Sequence, residues 1–201
     1  MFSIIQAAGW PIWFLLLASV IAVALIIERG TALRRSKVVP PALLQSAMAE
    51  YRRTGVTEEM LSRLENHSPL GKVFAAGLRN DKSSREVMKE AIEEAGRGAA
   101  HELERFLTSL GTIASISPLM GLFGTIVGMI EIFGSATGAG NNPQQLAHGI
   151  SVALYNTGFG LIIAIPAMIA YRHFRATVDS CVIEMELQAL KLVEQVHGER
   201  K

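Results

Sequence analysis

Residues 107–133 read LTSLGTIASISPLMGLFGTIVGMIEIF, a run whose only charge is Glu131. A helix needs about 20 mainly apolar residues, rising about 1.5 Å each, to cross roughly 30 Å of hydrocarbon. This run is long enough, and two others are like it: 146–171, and 10–27 (WPIWFLLLASVIAVALII). Trp10 and Trp13 at one end of the latter, and Arg29, Arg34 and Arg35 beyond the other, suit the two interfaces of a bilayer. A secretory signal peptide carries positive charge ahead of its apolar run, and MFSIIQAAGW has none. The chain reads as an all-α integral membrane protein, with three transmembrane helices and long cytoplasmic helical extensions.

Half of the 201 residues are hydrophobic and only 18% are charged, too apolar a mixture for a soluble domain of this length. A formal net charge of +1 gives no reason to expect a nucleic-acid partner. Of the 19 Lys and Arg, fourteen lie between Arg29 and Arg105, and the other five between Arg172 and Lys201. Basic residues stay on the cytoplasmic side, so these segments are expected inside, and the N-terminus and the loop after the second span outside. Three spans satisfy this at every crossing; two or four would not. The division is an outer N-terminus at 1–9, a first transmembrane helix at 10–28 and a cytoplasmic helical domain at 29–106. There follow a second transmembrane helix at 107–133, an outer loop at 134–145, a third transmembrane helix at 146–171 and a cytoplasmic helical tail at 172–201. Cys181 then faces a reducing compartment and reads as a packing residue.

Inside, Pro40 and Pro41 end the helix of the first span. Residues 42–53 read as a helix stopped by Gly55, and Thr57, ahead of Glu58 and Glu59, as the start of the next. Residues 66–69 read as a break, and 70–80 and 83–104 as two more helices. Ser83 or Ser84 caps the latter, whose Glu86, Glu90, Glu93 and Glu94 face basic neighbours at helical spacing. Nothing between Ser83 and Pro118 is a helix breaker, so this helix is expected to run into the second span as far as Pro118. The third span likewise continues toward Gly198. Val178, Cys181 or Val182, Met185, Leu187, Leu190, Val193 and Val196 form its apolar stripe, to be buried on the cytoplasmic helices or a neighbouring subunit.

Ser117, Gly121, Gly124 and Gly128 fall on one side of the second span, and Gly149, Ala153, Thr157, Gly160 and Ala164 on one side of the third. Small residues at this spacing let helices approach closely in lipid. Packing of these two spans on each other, or on another subunit, accounts for the pattern. Thr125, Thr157, Asn156 and Ser151 are polar groups within the spans and candidates for lining an ion path. A membrane threonine can also bond its own i−4 carbonyl and do nothing more, whereas the Asn156 amide requires a partner on another helix. Glu131, seven residues from Gly124, is expected on the small-residue face. An ionisable group in a span is a functional candidate, and its place one turn from the loop also suits a hydrated interfacial carboxylate. His67, His101, His148, His173 and His197 are scattered, and no metal, nucleotide or nucleophile constellation is visible. Neither a cofactor nor an enzymatic activity is expected.

SPLMGLFGTIVGMIEIF at 117–133, followed by GISVALYNTGFGLIIAIPAMIAYRHF at 149–174, resembles the last two spans of the ExbB/TolQ/MotA family of ion-channel subunits, ExbB above all. The resemblance is strong over 107–175 and looser over QAAGWPIWFLLLASVIAVALIIER at 6–29. Three spans with the N-terminus outside match ExbB and TolQ, whereas MotA-type stators have four. The resemblance implies a pentamer in the bacterial inner membrane, with the N-terminus and the outer loop in the periplasm. Its central pore would hold two single-span partners of the ExbD/TolR type, whose aspartate carries the proton. The complex would use the proton gradient to energise outer-membrane transport through a TonB-type transducer. Thr125 and Thr157 match the two family threonines that line the ion path beside that aspartate, and Pro166 matches the family proline of the third span.

One position departs from the pattern. ExbB and TolQ usually read GIAEAL where this chain has Gly149-Ile-Ser-Val-Ala-Leu, so Val152 stands in place of a glutamate. Either the partner's aspartate suffices, or Glu131 substitutes, or the ion and the coupling differ; hydroxyls suit protons and sodium alike. A TolQ-like subunit for envelope integrity and division is the alternative within the family. A membrane scaffold that anchors a partner without conducting ions is the alternative outside it, favoured by Val152 and opposed by Thr125 and Thr157.

Overall fold

The computed structural model describes residues 9–135 and 143–198. The expected outer N-terminus at 1–8, the expected outer loop at 136–142 and the end of the tail at 199–201 lie outside the described residues. Among the described residues the elements are α1 (Pro11–Ala32), α2 (Arg35–Val38), α3 (Leu43–Thr54), α4 (Glu58–His67), α5 (Pro69–Leu78), α6 (Arg85–Glu104), α7 (Leu107–Ser135) and α8 (Pro143–Val196). Three helical stretches, Pro11–Ala32, Arg85–Gly134 and Gly149–Val196, contain windows long and apolar enough to cross a bilayer. The protein is an all-α membrane protein. The chain forms two compact units: Met1–Glu28 with Phe106–His173, and Arg29–Arg105 with Phe174–Lys201.

In the charged unit, α5 is the hub. Leu70, Val73, Phe74, Ala75 and Leu78 are all buried, because α5 packs on α4, α6 and the short α2 together. Met60, Leu61 and Leu64 of α4 and Met88 of α6 complete this core. Where α4 meets α5 the backbones almost touch: a Cβ on Gly71 would stand 2.1 Å from the Leu64 carbonyl oxygen. Helix starts are fixed by hydroxyl caps, with Thr57 accepting from Met60 N, Ser68 from Gly71 N and Ser84 from Val87 N. Outside the core, ion pairs join Arg35 to Glu184 (2.7 Å), Lys72 to Glu102 (2.6 Å) and Arg79 to Glu65 (2.8 Å), with Arg63 against Glu50. Cys181 is buried, and burial first, then the Glu184 charge, pushes its thiol up from its ordinary value. It is a packing residue.

Two sequence expectations fail here. The helix from Ser84 does not run on to Pro118: it stops at Glu104, and Phe106 has φ +64°, left-handed geometry that costs a non-glycine residue about 1–2 kcal/mol. The break has a long-range cause. Buried Arg29 donates from Nη1 to the Leu103 carbonyl (3.2 Å), an oxygen that a continuing helix would give to Leu107 N–H. Pro118 instead lies inside α7. Proline is tolerated in membrane helices where neighbouring groups compensate for the missing N–H. The second failure is the stripe on α8: Val178, Cys181, Met185 and Val193 are buried, with Ala189 and Leu192, but Leu187 and Leu190 are exposed. Leu187 follows Met185 by two residues, about 200° round a helix, and belongs to another face.

The membrane unit inverts this pattern. Its large apolar side chains point outward, as with Trp13 (63% exposed), Leu119, Ile162, Ile165 and Ile169, whereas Ala114, Ser117, Ala153, Asn156, Ala164 and Ala167 are buried. α1 turns Ile12, Leu15 and Ala22 inward, and Trp10 meets Phe123 of α7 edge-on at 5.9 Å.

Candidate functional site

The two small-residue stripes face each other. A Cβ on Gly160 would lie 2.5 Å from the Ser117 carbonyl oxygen, and one on Gly121 2.6 Å from that of Asn156. Further along, Gly124 receives the Asn156 side chain (2.8 Å to Cγ), Gly128 meets Ala153 (3.2 Å to Cβ), and Gly149 meets Ile132 (2.6 Å to Cδ1). α7 and α8 thus cross antiparallel at backbone contact over about four turns. This contact within one chain occupies the stripes, so they are not surfaces left open for another subunit.

At the edge of that contact the two threonines meet. Thr125 Oγ1 lies 2.6 Å from Thr157 Oγ1, 3.0 Å from the Ala153 carbonyl oxygen and 3.2 Å from that of Gly121. Both side chains are half-buried. Ala153 is the i−4 residue of Thr157, so the carbonyl open to Thr157 for local bonding is one that lies within hydrogen-bond distance of a threonine from the other helix. That crossed arrangement ties the hydroxyls together, and no sequence pattern signals it, because one member is a backbone oxygen.

The other candidates sit elsewhere. Asn156 is buried against Gly124, one residue from the pair. Ser151 is exposed and donates to its own Ala147 carbonyl (2.9 Å), and Ser117 is buried and donates to Ile113 O (2.7 Å). Glu131 is exposed rather than packed on the small-residue face. The stripe continues from Gly128 to Ile132, and Glu131 falls on its opposite edge, about 120° round the helix from Thr125. Within one chain it does not reach the hydroxyl pair. Val152 is half-buried and brings no charge. Among the described residues no group of three or more His, Cys, Asp or Glu side chains gathers as it would around a metal ion.

Comparison with known proteins covers the same helices. Residues 65–187 match the model of the MotA/TolQ/ExbB proton channel family, from the end of α4 to well along α8. The chain is 31% identical over 198 residues to the Tol-Pal system protein TolQ of Pseudomonas aeruginosa, covering 90% of this chain and 86% of that one. It is 29% identical over 188 residues to the biopolymer transport protein exbB1 of Vibrio cholerae, covering 90% and 82%. An ExbB homolog from Methanothermobacter thermautotrophicus is 28% identical over 152 residues, 76% of this chain and 54% of that one. The chain therefore spans about half the length of this last relative.

Proposed function

Because the chain belongs to the MotA/TolQ/ExbB proton channel family, we propose that it is an ExbB-like subunit of a complex that uses the proton gradient to energise outer-membrane transport. The observation that carries this reading is the 2.6 Å contact between Thr125 and Thr157 at the edge of a helix pair with almost no room inside it. Each hydroxyl has one proton and two lone pairs. If Thr125 donates to the Ala153 or Gly121 carbonyl, Thr157 donates to Thr125. If Thr125 donates to Thr157, the Thr157 proton is released toward a third group. The pair can therefore present either a donor or an acceptor to a passing carboxyl group without breaking the helix contact.

That carboxyl group comes from a partner, since Val152 has none and Glu131 lies round the helix. The partner is a single-span protein of the ExbD/TolR type in the central pore of a homopentamer, with a TonB-type transducer beyond it. Each proton moved across 100 mV releases about 2.3 kcal/mol, and tight small-residue packing keeps that gradient from leaking when the complex is idle. On this reading, by the rule that basic residues stay inside, 29–105 and the tail lie in the cytoplasm and the N-terminus in the periplasm of an inner membrane.

The test is transport in cells with the partner present. Thr125→Val and Thr157→Val are expected to abolish gradient-dependent uptake while leaving membrane insertion unchanged. Intact uptake in both would refute the channel reading and leave a non-conducting scaffold. The 31% identity to the TolQ relative, over 90% of this chain, supports a second reading, a subunit for envelope integrity and division. Deletion of the gene separates the two: loss of energised uptake favours the first, and leakage of periplasmic contents with chained cells the second.

A further inference from the structure

Two of the side chains in the contact between α7 and α8 are large. Asn156 of α8, 1% exposed, lies on Gly124 of α7, with its Cβ, Cγ and Nδ2 at 2.9, 2.8 and 2.9 Å from where a Cβ on Gly124 would stand. Further along α7 the direction reverses. Ile132 of α7 lies on Gly149 of α8, its Cδ1 2.6 Å and its Cγ1 2.7 Å from the Cβ position there. Each helix puts one knob into a glycine notch of the other. Gly124 precedes Thr125 and Asn156 precedes Thr157, so the first knob sits beside the hydroxyl pair, about 100° round each helix from it.

The small-residue contacts alone do not fix how the two helices are aligned. Sliding α8 by four residues, about 6 Å, sets Gly124 opposite Ala153 one way and opposite Gly160 the other, small upon small again. Either slide would part the Thr125 and Thr157 hydroxyls, which are 2.6 Å apart. The knobs tolerate neither. One way brings Asn156 onto Met120, and the other brings Ile132 onto Ala153, where a Cβ already stands. Rotation is opposed as well, since Phe123 and Thr125 flank Gly124 at the same level. We infer that Asn156 and Ile132 are positioning residues of the hydroxyl pair, opposed knobs that lock α7 against α8 in the alignment where Thr125 meets Thr157. Asn156 acts by its outline, as packing does in lipid, and not as a lining of the ion path. This inference rests on the proton-channel reading above and names what keeps its central contact in place.

The experiment reads alignment and transport separately, on the full chain in cells with the partner present. For alignment, Thr125→Cys with Thr157→Cys on a Cys181→Ala background is oxidised in membranes. A disulfide within one chain is read as a monomer on an unreduced gel that has lost both maleimide-reactive thiols. It is expected to form, since thiols in place of hydroxyls 2.6 Å apart lie within reach of a bond. Adding Asn156→Ala or Ile132→Ala is expected to cut the yield about tenfold, because a small misplacement takes the sulfurs out of range. Asn156→Leu, with the same number and branching of side-chain heavy atoms, is expected to restore it to within about threefold. With both threonines in place, uptake should follow the same order. An unchanged yield in either alanine variant overturns the inference. So does Asn156→Leu behaving like Asn156→Ala, which would make the amide itself the working group. If uptake survives Asn156→Ala but not Thr125→Val and Thr157→Val, the inference falls and the channel reading stands. If it survives the threonine changes too, that reading falls, and the disulfide yields alone judge the lock.

Discussion

The two units of this chain are both built from helices and hold them together by opposite means. In the charged unit, water drives large side chains inward: Phe74, Leu70, Leu78, Met60 and Met88 are fully buried, and the backbones approach closely at Gly71, where α4 meets α5. In the membrane unit the surroundings are as apolar as any core, so nothing is gained by hiding a leucine. Large residues face out, and the helices meet through glycine, alanine and serine at backbone distance. What a glycine does depends on its position in either unit: Gly71 of α5 is a backbone contact, and Gly158 of α8 has nothing within 4 Å of a Cβ. Gly160 and Gly121 are contacts, whereas Gly98 in α6 has nothing within 4 Å of a Cβ.

Substitutions can break or sharpen that contrast. The largest effect is expected from Phe74→Ala, which opens a cavity at the hub of the charged unit and should cost about 3–5 kcal/mol. Denaturant titration of the purified chain would measure it, and a loss below 1 kcal/mol would mean that α5 is not the hub. Next comes Gly160→Ala, whose Cβ meets the Ser117 carbonyl at 2.5 Å, a clash that no rotamer relieves. Overpacking of this kind should cost about 1–3 kcal/mol, read as a lower thermal midpoint in detergent. The same change at Gly98 should act with the opposite sign, gaining roughly 0.5–1 kcal/mol of helix propensity. Equal effects at the two glycines would erase the contrast between a contact glycine and an open one.

The smallest effect is expected at Glu184. Its carboxylate, bonded to the Arg35 guanidinium at 2.7 and 2.8 Å, is held below its ordinary range, chiefly by that hydrogen bond. The folded form therefore gains from ionised Glu184 above the ordinary carboxylate range and loses that gain as pH falls through the lowered value. Arg35 is largely exposed, so salt weakens the pair. Glu184→Gln should flatten this part of the acid limb of stability, measured by melting between pH 3 and 7.

Much of the architecture was legible because it depends on local or compositional facts. The spans follow from missing charge, the caps at Thr57 and Ser84 from hydroxyls ahead of acids, and the two small-residue stripes from helical spacing. The misses share a cause. Phe106 gives no local warning of a break, since the group that takes the Leu103 carbonyl is Arg29, distant in sequence. Glu131 lies near enough to the stripe on a helical wheel for its side to be decided by how α7 rotates against α8. Leu187 and Leu190 look like core residues until α8 is placed on its partners.

By itself the sequence determined the membrane class, the three spans, the helical content and the family, because bilayer thickness and helical period act on residue types alone. It also supplied the two threonines. Only the tertiary structure decided that their hydroxyls touch, that the Ala153 carbonyl joins them, and that the glycine stripes are consumed within one chain. Those outcomes depend on the rotation and offset of one helix against another. Such offsets are set by contacts between residues about thirty positions apart, and no periodicity within either helix contains them.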